Sequence, residues 1–205
     1  MNNIINETFT KHLGLMQQHL KLLNEDVEAP DNLKYKKEGS GITITGCDPK
    51  PTGDLIIPDT IDGLPITSIG KFAFQECSGL TSVTLPSSLT SIGDRAFNKC
   101  SGLKSVTLPS SLTSISYSAF GYCTGLTSVT LPNSITFLGQ YAFKECSGLT
   151  SVTIPNNIDA ISDGTFGGCT GLTSVTLPSS VRSLSPTAFP KETKIIQPFK
   201  NPLGT

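Results

Sequence analysis

The sequence predicts an α/β-type repeat solenoid: a right-handed stack of 23-residue units, each mostly short strands plus one helical turn, preceded by an N-terminal α-helix. Three observations carry the prediction. Phe stands at 74, 97, 120, 143, 166 and 189, Cys at 77, 100, 123, 146 and 169, and Pro at 86, 109, 132, 155 and 178, each series stepping by 23 residues. Within a unit, apolar residues recur two apart, as on one face of a strand. Charged residues make up only 15% of the chain, against about 25% in an average globular protein.

The repeat unit reads L-T-S-V-T-L-P-S-S-L-T-S-I-G-D-R-A-F-N-K-C-S-G from Leu80 to Gly102, and further units start at Leu103, Leu126, Leu149 and Leu172. An upstream unit, roughly 55–79, fits after a four-residue insertion around Asp62-Gly63-Leu64-Pro65. Val83 and Leu85 share a strand face, and Ser82 and Thr84 point the other way. Pro86 ends the strand because it has no N–H for the next ladder bond. Leu89 to Ile92 forms a second extended piece. Asp94 to Cys100 is expected to make one helical turn with Ala96, Phe97 and Cys100 inward, and Ser101-Gly102 turns the chain back. No unit can bury its own apolar groups, so neighbours must do it, and stability becomes a sum of unit and neighbour contributions.

The ends depart from the period. Residues 1–29 carry Ile5, Phe9, Leu13, Met16, Leu20, Leu23 and Val27 at steps of three and four, a helical stripe. Asn6 is a plausible N-cap, and Pro30 ends the pattern. This helix either caps the first unit or pairs with a partner, including a second copy of the chain through residues 4–27. Residues 30–54 read as an entry hairpin (Leu33–Lys37 and Ile42–Thr45 around Glu38-Gly39-Ser40-Gly41) and a loop. Residues 55–192 hold six units. Over 193–205 the repeat decays: Glu192 falls in the Cys slot, Pro198 falls in the Val slot, and Lys194–Phe199 reads as a closing strand before a tail.

The chemistry is sparse. A net charge of −1 creates no strong field toward nucleic acid or anionic membranes. No apolar run approaches the ~20 residues needed to span a bilayer, so membrane insertion is not expected. Met1-Asn2-Asn3 lacks the basic start of a secretory signal. The ladder cysteines stack in parallel, which suits burial as small apolar groups better than disulfides or zinc. Cys47 lies off that ladder and is the candidate exposed thiol. His12 and His19 are seven residues apart, too far for an i, i+4 metal pair. No Ser or Thr has a repeat-borne His to activate it, and no G-x-S-x-G occurs. Asp94, Glu145, Asp159 and Asp163 form no evident acid–base pair. No catalytic residue, cofactor or metal is therefore assigned.

What remains is surface. One face carries a uniform ladder of Ser82, Thr84, Ser105, Thr107, Ser128, Thr130, Ser151, Thr153, Ser174 and Thr176. It serves either as a good β surface or as a binding face. Variety lies instead beside the Ala-Phe pair. The three slots before it read Gly-Lys-Phe, Gly-Asp-Arg, Ser-Tyr-Ser, Gly-Gln-Tyr, Ser-Asp-Gly and Ser-Pro-Thr down the stack, and the two after it read Gln-Glu, Asn-Lys, Gly-Tyr, Lys-Glu, Gly-Gly and Pro-Lys. Tyr117, Tyr122, Phe137 and Tyr141 add candidate exposed aromatics. Recognition needs differing, aromatic-rich chemistry, although relaxed packing on a turn edge would also vary this way.

The unit L-x-x-V-x-L-P-x-x-L-x-x-I-x-x-x-A-F-x-x-C resembles the BspA-like, or Treponema-type, leucine-rich repeat. Ile57 to Gly70 resembles that family's first unit, and the likeness spans about residues 33–190. The resemblance implies a curved solenoid with its strand sheet on the concave side. It also implies a surface or secreted protein engaged in adhesion or in binding a protein or glycoprotein partner. The runner-up expectation is a structural spacer whose N-terminal helix does the docking.

Overall fold

A computed structural model of the chain describes residues 32–197. The helix expected over residues 4–27 and the tail after Gln197 lie outside the described residues. In chain order the strands are β1 (Leu33–Glu38), β2 (Gly41–Cys47), β3 (Gly53–Ile56), β4 (Thr60–Ile61), β5 (Leu64–Ile69), β6 (Leu80–Thr84), β7 (Ser91–Ile92) and β8 (Ser105–Thr107). There follow β9 (Ser114–Ile115), β10 (Ser128–Thr130), β11 (Phe137–Leu138), β12 (Ser151–Thr153), β13 (Ala160–Ile161), β14 (Ser174–Thr176), β15 (Ser183–Leu184) and β16 (Lys194–Ile196).

The coils stack as a repeat solenoid. On one face the Ser-Val-Thr strands pair in parallel with a 23-residue register, as in Val83 with Val106 and Val129 with Val152. On a second face β5, β7, β9 and β11 pair in parallel, extended at the start by the antiparallel β1–β2 hairpin. The outer strand β1 exposes Lys34, Lys36 and Lys37, charges that discourage another chain from pairing with this edge. The insertion after Thr60 forms a tight hairpin, β4 against β5, turned by Asp62 and Gly63 at φ 52° and 71°. Asp-Gly is the dipeptide that such a turn favours.

The expected helical turn is corrected: the described residues contain no helix. Between Gly93 and Cys100 the N–H groups alternate in their partners. Ala96, Asn98 and Cys100 donate to the carbonyls of Gly93, Arg95 and Phe97 three residues back. Arg95, Phe97 and Lys99 donate instead to Tyr117, Ala119 and Gly121 in the next coil. An α-helix would satisfy its donors internally. Here half of them knit one coil to the next, forming a third ladder. The geometry needs left-handed residues four apart, at Arg95 and Lys99, Tyr141 and Glu145, and Gly164 and Gly168.

The core is a column. The rings of Phe74, Phe97, Phe120, Phe143, Phe166 and Phe189 stack face to face, with centroids 5.0–5.4 Å apart and planes within 9° of parallel. Beside it the cysteines are free thiols, as expected, but they are more than apolar filler. Cys100, Cys123, Cys146 and Cys169 each donate to a Phe carbonyl of the preceding coil at 3.1–3.2 Å. Hydroxyls act likewise: Ser111 Oγ bonds Leu89 O at 2.6 Å, and Thr113 Oγ1 bonds Thr90 O at 3.0 Å. Part of the Ser and Thr content thus serves to satisfy carbonyls of the preceding coil. The backbones also meet closely: a Cβ on Gly125 would lie 2.6 Å from Ser101 O, so the slot requires glycine.

The last coil departs from the sequence register. Ile195, not Pro198, fills the position after Val175, so this step is three residues short of the period. Thr193, nearly buried, donates to Leu172 O at 2.7 Å and anchors the shortened turn.

Candidate functional site

The two surfaces singled out from the sequence lie on different ladders of the solenoid. Thr84, Ser105, Thr107, Ser128, Thr130, Ser151, Thr153, Ser174 and Thr176 are exposed along the Ser-Val-Thr strands. Ser82 is half-buried and already engaged, donating to Asp54 Oδ1 at 2.7 Å beside Thr81 at 2.8 Å. These donors, Ser82 first, hold the Asp54 carboxyl below the usual carboxylate range. The ladder is even from coil to coil.

The turn edge differs. Tyr117, Tyr122 and Tyr141 converge on a cleft of about 470 Å³, which Gln75, Arg95, Asn98, Lys99, Ser118 and Lys144 complete. The cleft crosses four coils. Tyr117 and Tyr122 are 39% and 41% exposed, so their rings face outward. Tyr117 meets Tyr141 edge-on, with centroids 5.6 Å apart. Arg95 lies 5.4 Å from the centre of the Tyr117 ring. Lys144 lies 5.3 Å from that of Tyr141 and 6.0 Å from that of Tyr122. Phe137 is exposed as expected, but it sits on β11, outside the cleft.

The floor of the cleft has a cause in the sequence. Gly121 stands where the neighbouring coils carry Gln75, Asn98 and Lys144. A Cβ there would collide with Ser118 Oγ and lie 2.8 Å from Asn98 Nδ2. Beneath the opening, nearly buried Asn98 donates from Nδ2 to Ser118 Oγ at 3.0 Å, fixing the floor between two coils. At one side Lys99 pairs with Glu76 at 2.9 Å. That bond, then the Lys99 charge, then the Lys50 charge, keeps Glu76 ionised below its usual range.

Sequence reasoning named the three tyrosines and placed Arg95, Lys99 and Lys144 among the variable slots without pairing them with the rings. A signal was present. Arg95 precedes Tyr117 by 22 residues, and Tyr122 precedes Lys144 by 22, one less than the period, which makes them diagonal neighbours on adjacent coils. Among the described residues no group of three or more His, Cys, Asp or Glu could hold a metal, and no helix is long and apolar enough to cross a membrane.

Fold and edge together define a β-solenoid repeat scaffold. The BspA type leucine rich repeat region matches in six copies over residues 67–196, and the chain belongs to that family. It is similar to a leucine rich repeat protein of T. pallidum, with 31% identity and a TM-score of 0.70, covering 83% of this chain and 86% of that one. A leucine rich cell surface protein of Faecalibacterium prausnitzii is 26% identical, with a TM-score of 0.62, covering 82% of this chain and 54% of that one. A leucine-rich repeat protein of Bacteroides ovatus is 25% identical, with a TM-score of 0.61 and coverages of 84% and 53%. The chain therefore spans about half the length of those last two. No curated protein matches.

Proposed function

We propose that the chain is a non-enzymatic binding scaffold, acting at a cell surface or in secreted form, that holds a protein or glycoprotein partner through its turn edge. The observation that carries this reading is the cleft, which gathers three tyrosines and three cations from three coils of an otherwise monotonous stack. Aromatic and Arg side chains are the groups that dominate interface energetics. The Ser/Thr ladder offers area without such anchors. The Faecalibacterium relative, described as a cell surface protein, supports the location.

The test is solid-phase binding of the full chain to a panel of purified extracellular glycoproteins. Saturable binding to one or more is expected. It should fall at least tenfold in an Arg95→Glu/Lys144→Glu variant and stay unchanged in Thr107→Arg/Thr130→Arg. Loss through the Thr pair with the edge pair silent would move the site to the strand ladder. Turnover in a hydrolase screen would overturn the non-enzymatic reading.

A second reading, self-association through residues 4–27, follows from the near-heptad spacing there. Removing residues 1–29 should then turn a dimer into a folded monomer, read by mass in solution. A monomeric full chain would dismiss it.

A further inference from the structure

We propose that the turn-edge cleft binds an anionic pyranoside, a sugar ring carrying a carboxylate or sulfate. The inference rests on the reading of this edge as the binding face and names its ligand chemistry.

The lining side chains are Gln, Arg, Asn, Lys, Ser and Tyr, with no carboxylate and no aliphatic group among them. Neither Arg95 nor Lys144 reaches a carboxylate among the described residues; the ion pairs there involve other lysines. Both cations sit over tyrosine rings instead. An anion entering the cleft would therefore meet two positive charges without displacing an existing partner.

The surroundings favour a sugar over an acidic peptide. A peptide is held through its backbone, through apolar side chains or, where acidic, by a cluster of Arg, and this cleft has a single Arg. Most N–H groups of the cleft wall are already spent within the stack. Lys99, Ser118, Tyr122 and Tyr141 donate theirs to Gly121, Gln140, Lys144 and Asp163 in the next coils. The cleft also lacks an aliphatic pocket. What it offers are flat aromatic surfaces, phenolic hydroxyls and a carboxamide, which suit the C–H face and the hydroxyls of a pyranose. The volume, about 470 Å³, falls in the range of small-molecule sites.

The chain provides its own reporter. It has no Trp, and three of its four tyrosines line the cleft, so intrinsic fluorescence reads the site. The full chain is titrated with 3′-sialyllactose, tetragalacturonate and a sulfated chondroitin disaccharide. Lactose serves as the neutral control and hexaglutamate as the acidic-peptide control. At least one anionic sugar should give a saturating fluorescence change, with lactose at least tenfold weaker. Arg95→Gln and Lys144→Gln, whose circular dichroism should match the parent, should each weaken binding at least fivefold. Raising the salt should weaken it further. The sugar that saturates identifies whether sialate, uronate or sulfate is the source.

No response to any anionic sugar, equal binding of lactose, or tighter binding of hexaglutamate would overturn the proposal. If glycoprotein binding still depends on Arg95 and Lys144 while no sugar binds, only the ligand assignment fails. If it does not depend on them, the edge reading itself fails.

Discussion

Removing one ring from the Phe column should cost an amount set by how many neighbours it has. Phe120 is fully buried and stacks on Phe97 at 5.2 Å and on Phe143 at 5.3 Å. Phe189 is 8% exposed and stacks only on Phe166 among the described residues. Truncating a buried Phe to Ala costs about 3–5 kcal/mol through lost transfer energy and the cavity left behind. Each aromatic contact adds about 0.5–1.5 kcal/mol. Phe120→Ala should therefore cost about 4–6 kcal/mol and Phe189→Ala about 2 kcal/mol less, because one contact is missing and the cavity opens toward an end. Urea unfolding read by far-ultraviolet circular dichroism measures both. At a slope near 2 kcal/mol/M the two midpoints should differ by about 1 M. Phe120→Leu and Phe189→Leu keep the comparison available if the Ala variant does not fold. Adjacent sites should couple, so Phe97→Ala/Phe120→Ala should deviate from additivity, whereas Phe74→Ala and Phe143→Ala should add. Equal losses at Phe120 and Phe189, or strict additivity for the adjacent pair, would refute stacking as the source of stability.

Other consequences follow from the ladders. Cys123→Ala removes a donor to Phe97 O and should cost about 1–2 kcal/mol in the same urea assay, with Cys123→Ser recovering part of it. Gly125→Ala drives a Cβ toward Ser101 O and should cost about 1–3 kcal/mol, where an ordinary surface glycine would tolerate the change. Native-state alkylation followed by mass spectrometry should label Cys47 alone among the six thiols. It should proceed slowly near neutral pH and faster as pH rises, because the hydrogen bond with Cys77 and then burial raise the Cys47 thiol. The thiol of the preceding coil, then burial, also pushes Cys100, Cys146 and Cys169 upward. Above about pH 8.5 the unfolded chain loses protons that the folded chain keeps, so stability present below that pH should decline as pH rises, by up to about 1.4 kcal/mol per unit per thiol. Replacing these three cysteines with Ala should flatten that alkaline decline.

The stack was legible because a 23-residue period fixes which side chains coincide, and Val83, Phe97 and Cys100 each stand in an inward slot that recurs along the stack. The turn segment was misread for a physical reason. Ala96, Phe97 and Cys100 are spaced as on a helix face, and nothing in a single unit says where each N–H is spent. One unit does write the geometry openly: Gly164 and Gly168 occupy the left-handed slots that Arg95 and Lys99 fill elsewhere. The Asp62-Gly63 insertion was seen as extra length, although its dipeptide signals a tight hairpin. The early closure at Ile195 escaped because strict counting placed Pro198 there. At the site, the tyrosines stood out as departures from a monotonous surface. Their cations did not, because Arg95 and Lys144 become diagonal neighbours of Tyr117 and Tyr122 only once the coils are stacked.

Hydroxyl-radical footprinting, with and without a saturating partner, tests the placement of the binding face most directly. Tyr117, Tyr122 and Tyr141 should lose most of their oxidation in the complex while Tyr35, out on the entry hairpin, keeps its own. Unchanged labelling of the three under saturation would put recognition elsewhere on the molecule and contradict the account.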